Sequence, residues 1–157
     1  GVAGSSFAIR SSQAGKTVLL VEASSFPREK VCGGCLNTRA QNQLSELGVL
    51  DELLQNQAVS LHRLRIQVNE KTATWNVPQM LSVRRSTLDS ILVRRAVHCG
   101  TRFVDSTHAT VMPFDPLLDK GGRRVRLRNK QTGMDISVSA PLIVVAAGLS
   151  RSPLPRN

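Results

Sequence analysis

The chain has 157 residues, 41% of them hydrophobic and 20% charged, enough for one soluble globular domain with its own core and too apolar for a disordered chain. Its 21 basic and 11 acidic residues give a formal charge of +10. The basic residues are scattered in pairs and aromatics are only 3%, with no Tyr, so there is no platform for stacking bases and no nucleic-acid partner is expected.

In chain order, residues 4–14 read as a helix entered through a glycine turn and stopped by Gly15. Residues 17–22 are a short β-branched, apolar run ending in Glu22, the pattern of a buried parallel strand. Residues 23–36 read as a loop carrying Pro27, Gly33 and Gly34. Asn37 or Thr38 can cap a helix with Ala40, Leu44 and Leu47 on its apolar side, ended by Gly48, and a short helical piece follows around Leu50, Leu53 and Leu54.

The period then changes to two. Leu64, Ile66 and Val68 alternate with polar residues, as do Ala73, Trp75 and Val77, which predicts an antiparallel pair with one wet face. Ser86 and Asp89 have the spacing of a capping box, ahead of a helix with Leu88, Ile91, Leu92, Ala96 and Cys99 on one face. Strands are expected near residues 101–104 and 108–112. Val125 and Leu127 alternate with Arg124, Arg126 and Arg128, and Ile136 and Val138 mark the return strand. Residues 142–146 are a second apolar run, read as a fully buried strand running into Gly148. The longest apolar run is far short of the roughly 18 residues that span a bilayer.

This order is an α/β dinucleotide fold interrupted by antiparallel strands. Gly1 and Gly4 precede a helix whose N-terminus can offer free N–H groups to a pyrophosphate, and Glu22 stands about 20 residues on, at the strand end where an acid accepts from ribose hydroxyls. Cys32 and Cys35 form a lone C-x-x-C with no second ligand pair, so no metal site is expected and both thiols are read as packing in a glycine turn. The odd cysteine count fits reduced thiols, and the expected location is cytoplasmic, with membrane association as a further expectation. His62, His98 and His108 are isolated, and no catalytic residue is assigned.

Three stretches carry a resemblance: Gly1-Val2-Ala3-Gly4-Ser5-Ser6, then Val18-Leu19-Leu20-Val21-Glu22, then Phe26-Pro27-Arg28-Glu29-Lys30-Val31-Cys32-Gly33-Gly34. Together they resemble the geranylgeranyl reductase family, within the FAD-dependent flavoproteins typified by para-hydroxybenzoate hydroxylase. Val83-Arg84-Arg85-Ser86-Thr87-Leu88-Asp89 and Val144-Val145-Ala146-Ala147-Gly148-Leu149-Ser150 resemble two further stretches of that family. Val2 and Ala147 depart from it, standing where its members usually carry Pro and Asp.

The resemblance implies a Rossmann-like FAD-binding fold, incomplete because its first strand is expected ahead of Gly1, with residues 58–82 belonging to an inserted substrate-side sheet. It implies that Gly1, Ala3 and Gly4 line the FAD pyrophosphate and that Glu22 holds the adenosine ribose. Arg28 would sit beside the phosphates, with Cys32 and Gly33 near the flavin and ribityl chain. Arg85 would reach the cofactor from a helix start, and Val111 would offer its backbone to the adenine. The implied activity is reduction of carbon–carbon double bonds in an isoprenoid lipid, with NAD(P)H as electron donor and peripheral contact with a membrane. A flavin monooxygenase or halogenase, or a non-catalytic remnant of such an enzyme, are the alternatives. The chain by itself is expected to be unstable and not to retain FAD, because buried backbone groups beside an absent strand go unsatisfied.

Overall fold

A computed structural model describes residues 1–56 and 58–148. They form two units: one from Gly1–Arg28 and the chain from Ala96 onward, the other from Glu29–Arg95.

The first unit opens with α1 (Val2–Gln13), which starts two residues earlier than the sequence predicts because Gly1 itself serves as its N-cap. Ser5, Ala8 and Ile9 are buried along one face of it, the i, i+3, i+4 pattern of a helix packed on a sheet. Gly15, at φ 73°, takes the left-handed turn that ends it. β1 (Leu19–Val21) pairs in parallel with β5 (Arg102–Val104), Leu20 facing Phe103. Ser12 Oγ and Thr101 Oγ1, 2.8 Å apart, tie the end of α1 to the start of β5.

β6 (Thr107–Val111), β7 (Arg123–Asn129) and β8 (Asp135–Ala140) form an antiparallel sheet in that order. The alternation in β7 is as the sequence predicts: Val125 and Leu127 are buried, and the arginines between them point the other way. Arg124 Nε donates to Asp119 Oδ1 at 2.7 Å, and Arg126 chelates the Asp135 carboxylate across the hairpin.

The two apolar runs read as buried strands are corrected. β1 is shorter than predicted and Leu19 is 41% exposed. Residues 142–147 join no ladder, and Leu142, Val144 and Val145 are exposed. An apolar run of this kind is buried only where packed layers cover both faces of its sheet. Leu149 and Ser150 lie outside the described residues.

In the second unit, β2 (Cys35–Leu36) corrects the expected loop by pairing with Ser82 and Leu81. α2 (Thr38–Glu46) is capped by Asn37, whose side chain accepts from Ala40 N at 2.9 Å. α3 (Leu50–Gln55) buries Leu53 and leaves Leu54 exposed. β3 (Val59–Val68) and β4 (Lys71–Ser82) make a long hairpin through a two-residue turn, with Asn69 at φ 54°. Its register shifts between Leu61 and Arg63, opposite the stretch that holds Pro78, where a ladder donor is missing. One wet face was expected here, but Leu64, Ile66, Val68 and Trp75 are also exposed.

α4 (Arg85–His98) carries the chain back into the first unit. Leu88, Ile91, Leu92 and Ala96 are buried as predicted. The expected capping box is not formed, because the helix already includes Ser86 and the buried Asp89 is drawn to Arg85. Arg95 Nε donates to Leu47 O at 3.1 Å, satisfying a carbonyl at the end of α2. No helix among the described residues is long and apolar enough to cross a membrane.

Candidate functional site

The candidate residues fall into two groups, one in each unit. In the first unit, α1 begins with no side-chain cap hydrogen bond and no acid in its first turn, and a helix start of that kind suits an anion. Ala3 is exposed on that turn. Gly4 is half-buried, and a Cβ there would meet Ala146 Cβ at 3.3 Å and Leu20 Cδ1 at 3.6 Å. Its lack of a side chain therefore lets the helix lie close on β1 and on residues 142–147. Ser5, one residue on, is fully buried with an Oγ that has no partner.

Glu22 follows directly on β1, and its Oε2 lies 3.7 Å from the Gly1 nitrogen. Oε1 accepts from Ser24 N at 3.0 Å, and Oε2 accepts from Arg28 Nη2 at 2.8 Å. Burial pushes this carboxyl up, but the hydrogen bonds from Arg28 and the Ser24 backbone, with the Arg28 charge alongside, hold the group below its ordinary value. Glu22 is thus an anion at neutral pH. A carboxylate has about four lone-pair sites, so it keeps acceptor capacity for a diol.

Val111 ends β6, an edge strand. Met112 N donates to Arg124 O at 2.9 Å, which makes Val111 and Val125 a non-hydrogen-bonded pair. The N–H and C=O of Val111 therefore point away from β7, towards the open edge of the sheet. Its side chain is buried, so the backbone is what it can offer a ligand.

The second unit holds Cys32, Gly33 and Arg85. Residues 29–32 and 34 face residues 82–85 across an open pocket of about 350 Å³. Gly34, at φ 70°, bends the chain so that its N–H reaches back to Cys32 Sγ at 3.5 Å, while its carbonyl accepts from Val83 N at 2.9 Å. The Cys32 thiol is held below its ordinary value, chiefly by the Gly34 N–H and then by Arg85. The expectation of two thiols packed in a turn is corrected: both Cys32 and Cys35 are exposed. Gly33 has open space where a side chain would stand.

From sequence, Arg85 at a helix start suggests an external anion. The structure supplies an internal one. Arg85 Nη2 contacts both carboxylate oxygens of Asp89, at 3.1 and 3.0 Å, and Asp89 is fully buried. Desolvation works against the guanidinium, but Cys32 and Asp89 raise its pKa above the ordinary value. Gly1, Glu22 and Arg28 are thus brought together, as are Cys32 and Arg85. Sequence reasoning missed Asp89 as a site-building residue, although its i+4 spacing from Arg85 was the available signal. No cluster of metal-ligating side chains occurs among the described residues.

The first group fits an adenine dinucleotide on its own geometry. It combines an uncapped helix start beside an orphaned serine hydroxyl, a carboxylate held at that start, and an edge strand with free backbone groups.

Comparison with known proteins agrees. A family model described as an FAD binding domain matches residues 1–154. The menaquinone reductase of Mycobacterium tuberculosis (strain ATCC 25618 / H37Rv) is 30% identical over 161 residues, covering 100% of this chain and 38% of that protein. Menaquinone reductase of Mycolicibacterium smegmatis is 30% identical over 135 residues, covering 80% of this chain and 33% of its own length. Among solved structures, the flavin-dependent monooxygenase PieE in complex with FAD and substrate superposes with a TM-score of 0.81 at 18% identity, covering 98% of this chain and 29% of that one. The chondrochloren halogenase CndH gives 0.73 at 21% identity, covering 89% and 33%. These likenesses show the fold, and the chain spans less than two-fifths of the curated relatives it matches.

Proposed function

The chain belongs to the FAD binding domain family, and from that premise we propose that it is the cofactor-holding part of a flavin-dependent reductase that saturates carbon–carbon double bonds in an isoprenoid lipid. The observation that carries the reading is the Glu22 carboxylate, oriented by Arg28 and Ser24 beside the uncapped start of α1. That arrangement suits a ribose diol next to a pyrophosphate. What speaks for a reductase is 30% identity over 161 residues to menaquinone reductase, and the isoprenoid double bond as its target is our own reading.

Reduced FAD, when bound, supplies the hydride. The chain's own residues do the holding. The turn of Gly1, Ala3 and Gly4 would leave room for the phosphates against the N–H groups of α1, and Val111 would meet the adenine through its backbone. Arg28 would orient the Glu22 carboxylate through its hydrogen bond. Cys32, Gly33 and Arg85 would line the approach to the flavin, with residues 58–82 contributing to a substrate-side sheet. NAD(P)H as electron donor and a peripheral membrane surface as the source of a lipid substrate complete the reading.

The test uses the full-length protein with FAD, an NAD(P)H source and a menaquinone or geranylgeranyl lipid, without oxygen. A product that has gained two hydrogens per reduced double bond supports the proposal. A product formed only with oxygen, hydroxylated or halogenated, would reassign the protein to a monooxygenase or halogenase. FAD binding without turnover of either kind would mark a non-catalytic relative.

A further inference from the structure

Glu22 and Arg28 are separated by an irregular strap, residues 23–27, that contains Pro27. The corner between β5 and β6 tethers it. Phe26 N donates to Asp105 Oδ2 at 2.7 Å. Ser106 N donates to Ser24 O at 3.0 Å, and Thr107 N donates to the Glu22 carbonyl at 3.0 Å. The Phe26 ring stands edge-on to Phe103, with centroids 5.3 Å apart and planes at 74°.

We propose that Asp105 is a positioning residue, fixing the strap so that Arg28 orients the Glu22 carboxylate for the ribose of an adenine nucleotide.

Three features favour this over a bond that merely closes a loop. First, the Asp105 bond reaches from a side chain of the corner to a point two residues before Arg28, so it bears on where the guanidinium arrives. Second, Ser106 holds a left-handed conformation at φ 48°, which costs a non-glycine residue energy and is kept only where surroundings enforce it. In that conformation its N–H meets the strap and its carbonyl accepts from Lys130 N at 2.8 Å, so the corner is braced from the antiparallel side. Third, every tether starts from residues 103–107, the stretch that carries the chain from β5 into β6, and ends on the strap or on Glu22 itself. Preorganisation of this kind lowers the ordering cost of binding instead of adding a contact.

The inference rests on the reading that Glu22 meets a nucleotide ribose, and the experiment separates the two. In the full-length protein, dissociation constants for FAD and for ADP, used as the probe of the adenosine end, are measured for Asp105→Ala, Asp105→Asn, Glu22→Gln and the Asp105→Ala/Glu22→Gln double variant. Asp105→Ala is expected to weaken both ligands about tenfold, the scale of one lost hydrogen bond. Asp105→Asn, which keeps an acceptor for Phe26 N, is expected to stay within about threefold of wild type on the same scale. The double variant is expected to bind like Glu22→Gln alone, because Asp105 acts through Glu22.

Wild-type affinity in Asp105→Ala, or additive losses in the double variant, would overturn the proposal. If Glu22→Gln itself leaves both affinities unchanged, the ribose reading fails and this inference with it. If Glu22→Gln weakens binding while Asp105→Ala does not, this inference alone fails. Should Asp105→Ala not fold, Phe103→Leu loosens the same strap without removing a hydrogen bond. It carries the same expectation of weaker, non-additive binding, and additivity there would equally overturn the proposal.

Discussion

The Arg28 guanidinium meets the Glu22 carboxylate at 2.8 Å, and the two side chains are only 14% and 16% exposed. The pair is therefore worth more than a surface salt bridge, and its loss would leave a partly buried carboxylate short of a donor. Arg28→Met is expected to weaken FAD binding by about tenfold, with Arg28→Lys intermediate because an ammonium keeps the charge but not the fork of donors. Titration by flavin fluorescence checks this.

Acidification acts on the same pair. The Glu22 carboxyl is depressed in the folded state, so its contribution to stability is complete above its unfolded pKa and disappears as pH falls through the lower folded value. Melting temperature is expected to drop from about pH 5 downward, and Glu22→Gln is expected to flatten that part of the profile. Equal slopes for the wild type and the Glu22→Gln variant would contradict it.

Cys32 is expected to be the fastest of the three cysteines to alkylate near neutral pH. Its thiol is lowered by the Gly34 N–H and by Arg85, whereas Cys99 is half-buried. Peptide mass spectrometry after brief iodoacetamide treatment reads this directly. Arg85→Met is expected to slow Cys32 several-fold and leave Cys35 unchanged.

Removing Arg85 has a second effect. Asp89 is fully buried, and deleting its guanidinium partner is expected to destabilise the protein by about 3 kcal/mol. The double variant Arg85→Met/Asp89→Leu is expected to recover most of that loss, since no buried carboxylate is left behind. Urea unfolding of the single and double variants in the full-length protein measures both.

At Gly4 two terms oppose. Alanine improves helix propensity by about 1 kcal/mol, but its Cβ would press on Ala146 at 3.3 Å. Gly4→Ala is expected to be close to neutral in stability, whereas Gly4→Leu is expected to cost about 1–3 kcal/mol by overpacking. Thermal melts of the two variants distinguish these outcomes.

The sequence was readable where a local rule decides the structure. Asn37 caps α2 through its own side chain, and the alternation of Val125 and Leu127 with arginines needs only the pleat of one hairpin. It misled where burial depends on a neighbour. Residues 142–146 have the composition of a central strand, but composition says nothing of whether strands lie alongside. At the site, Glu22 stood out through its spacing from the glycines. The Glu22–Arg28 pair did not, because an irregular stretch separates the partners and that stretch is tethered by Asp105 and Ser106, some 80 positions away. Asp89 was taken for a capping residue because its i+3 relation to Ser86 competes with its i+4 relation to Arg85, and burial settled the matter.

Val111 leaves a different kind of consequence. Its side chain faces the interior while its peptide groups face the open rim of β6. Whatever meets that rim reads main chain, which every residue but proline presents alike. An exchange of Val111 for another apolar residue would therefore leave the surface it shows unchanged.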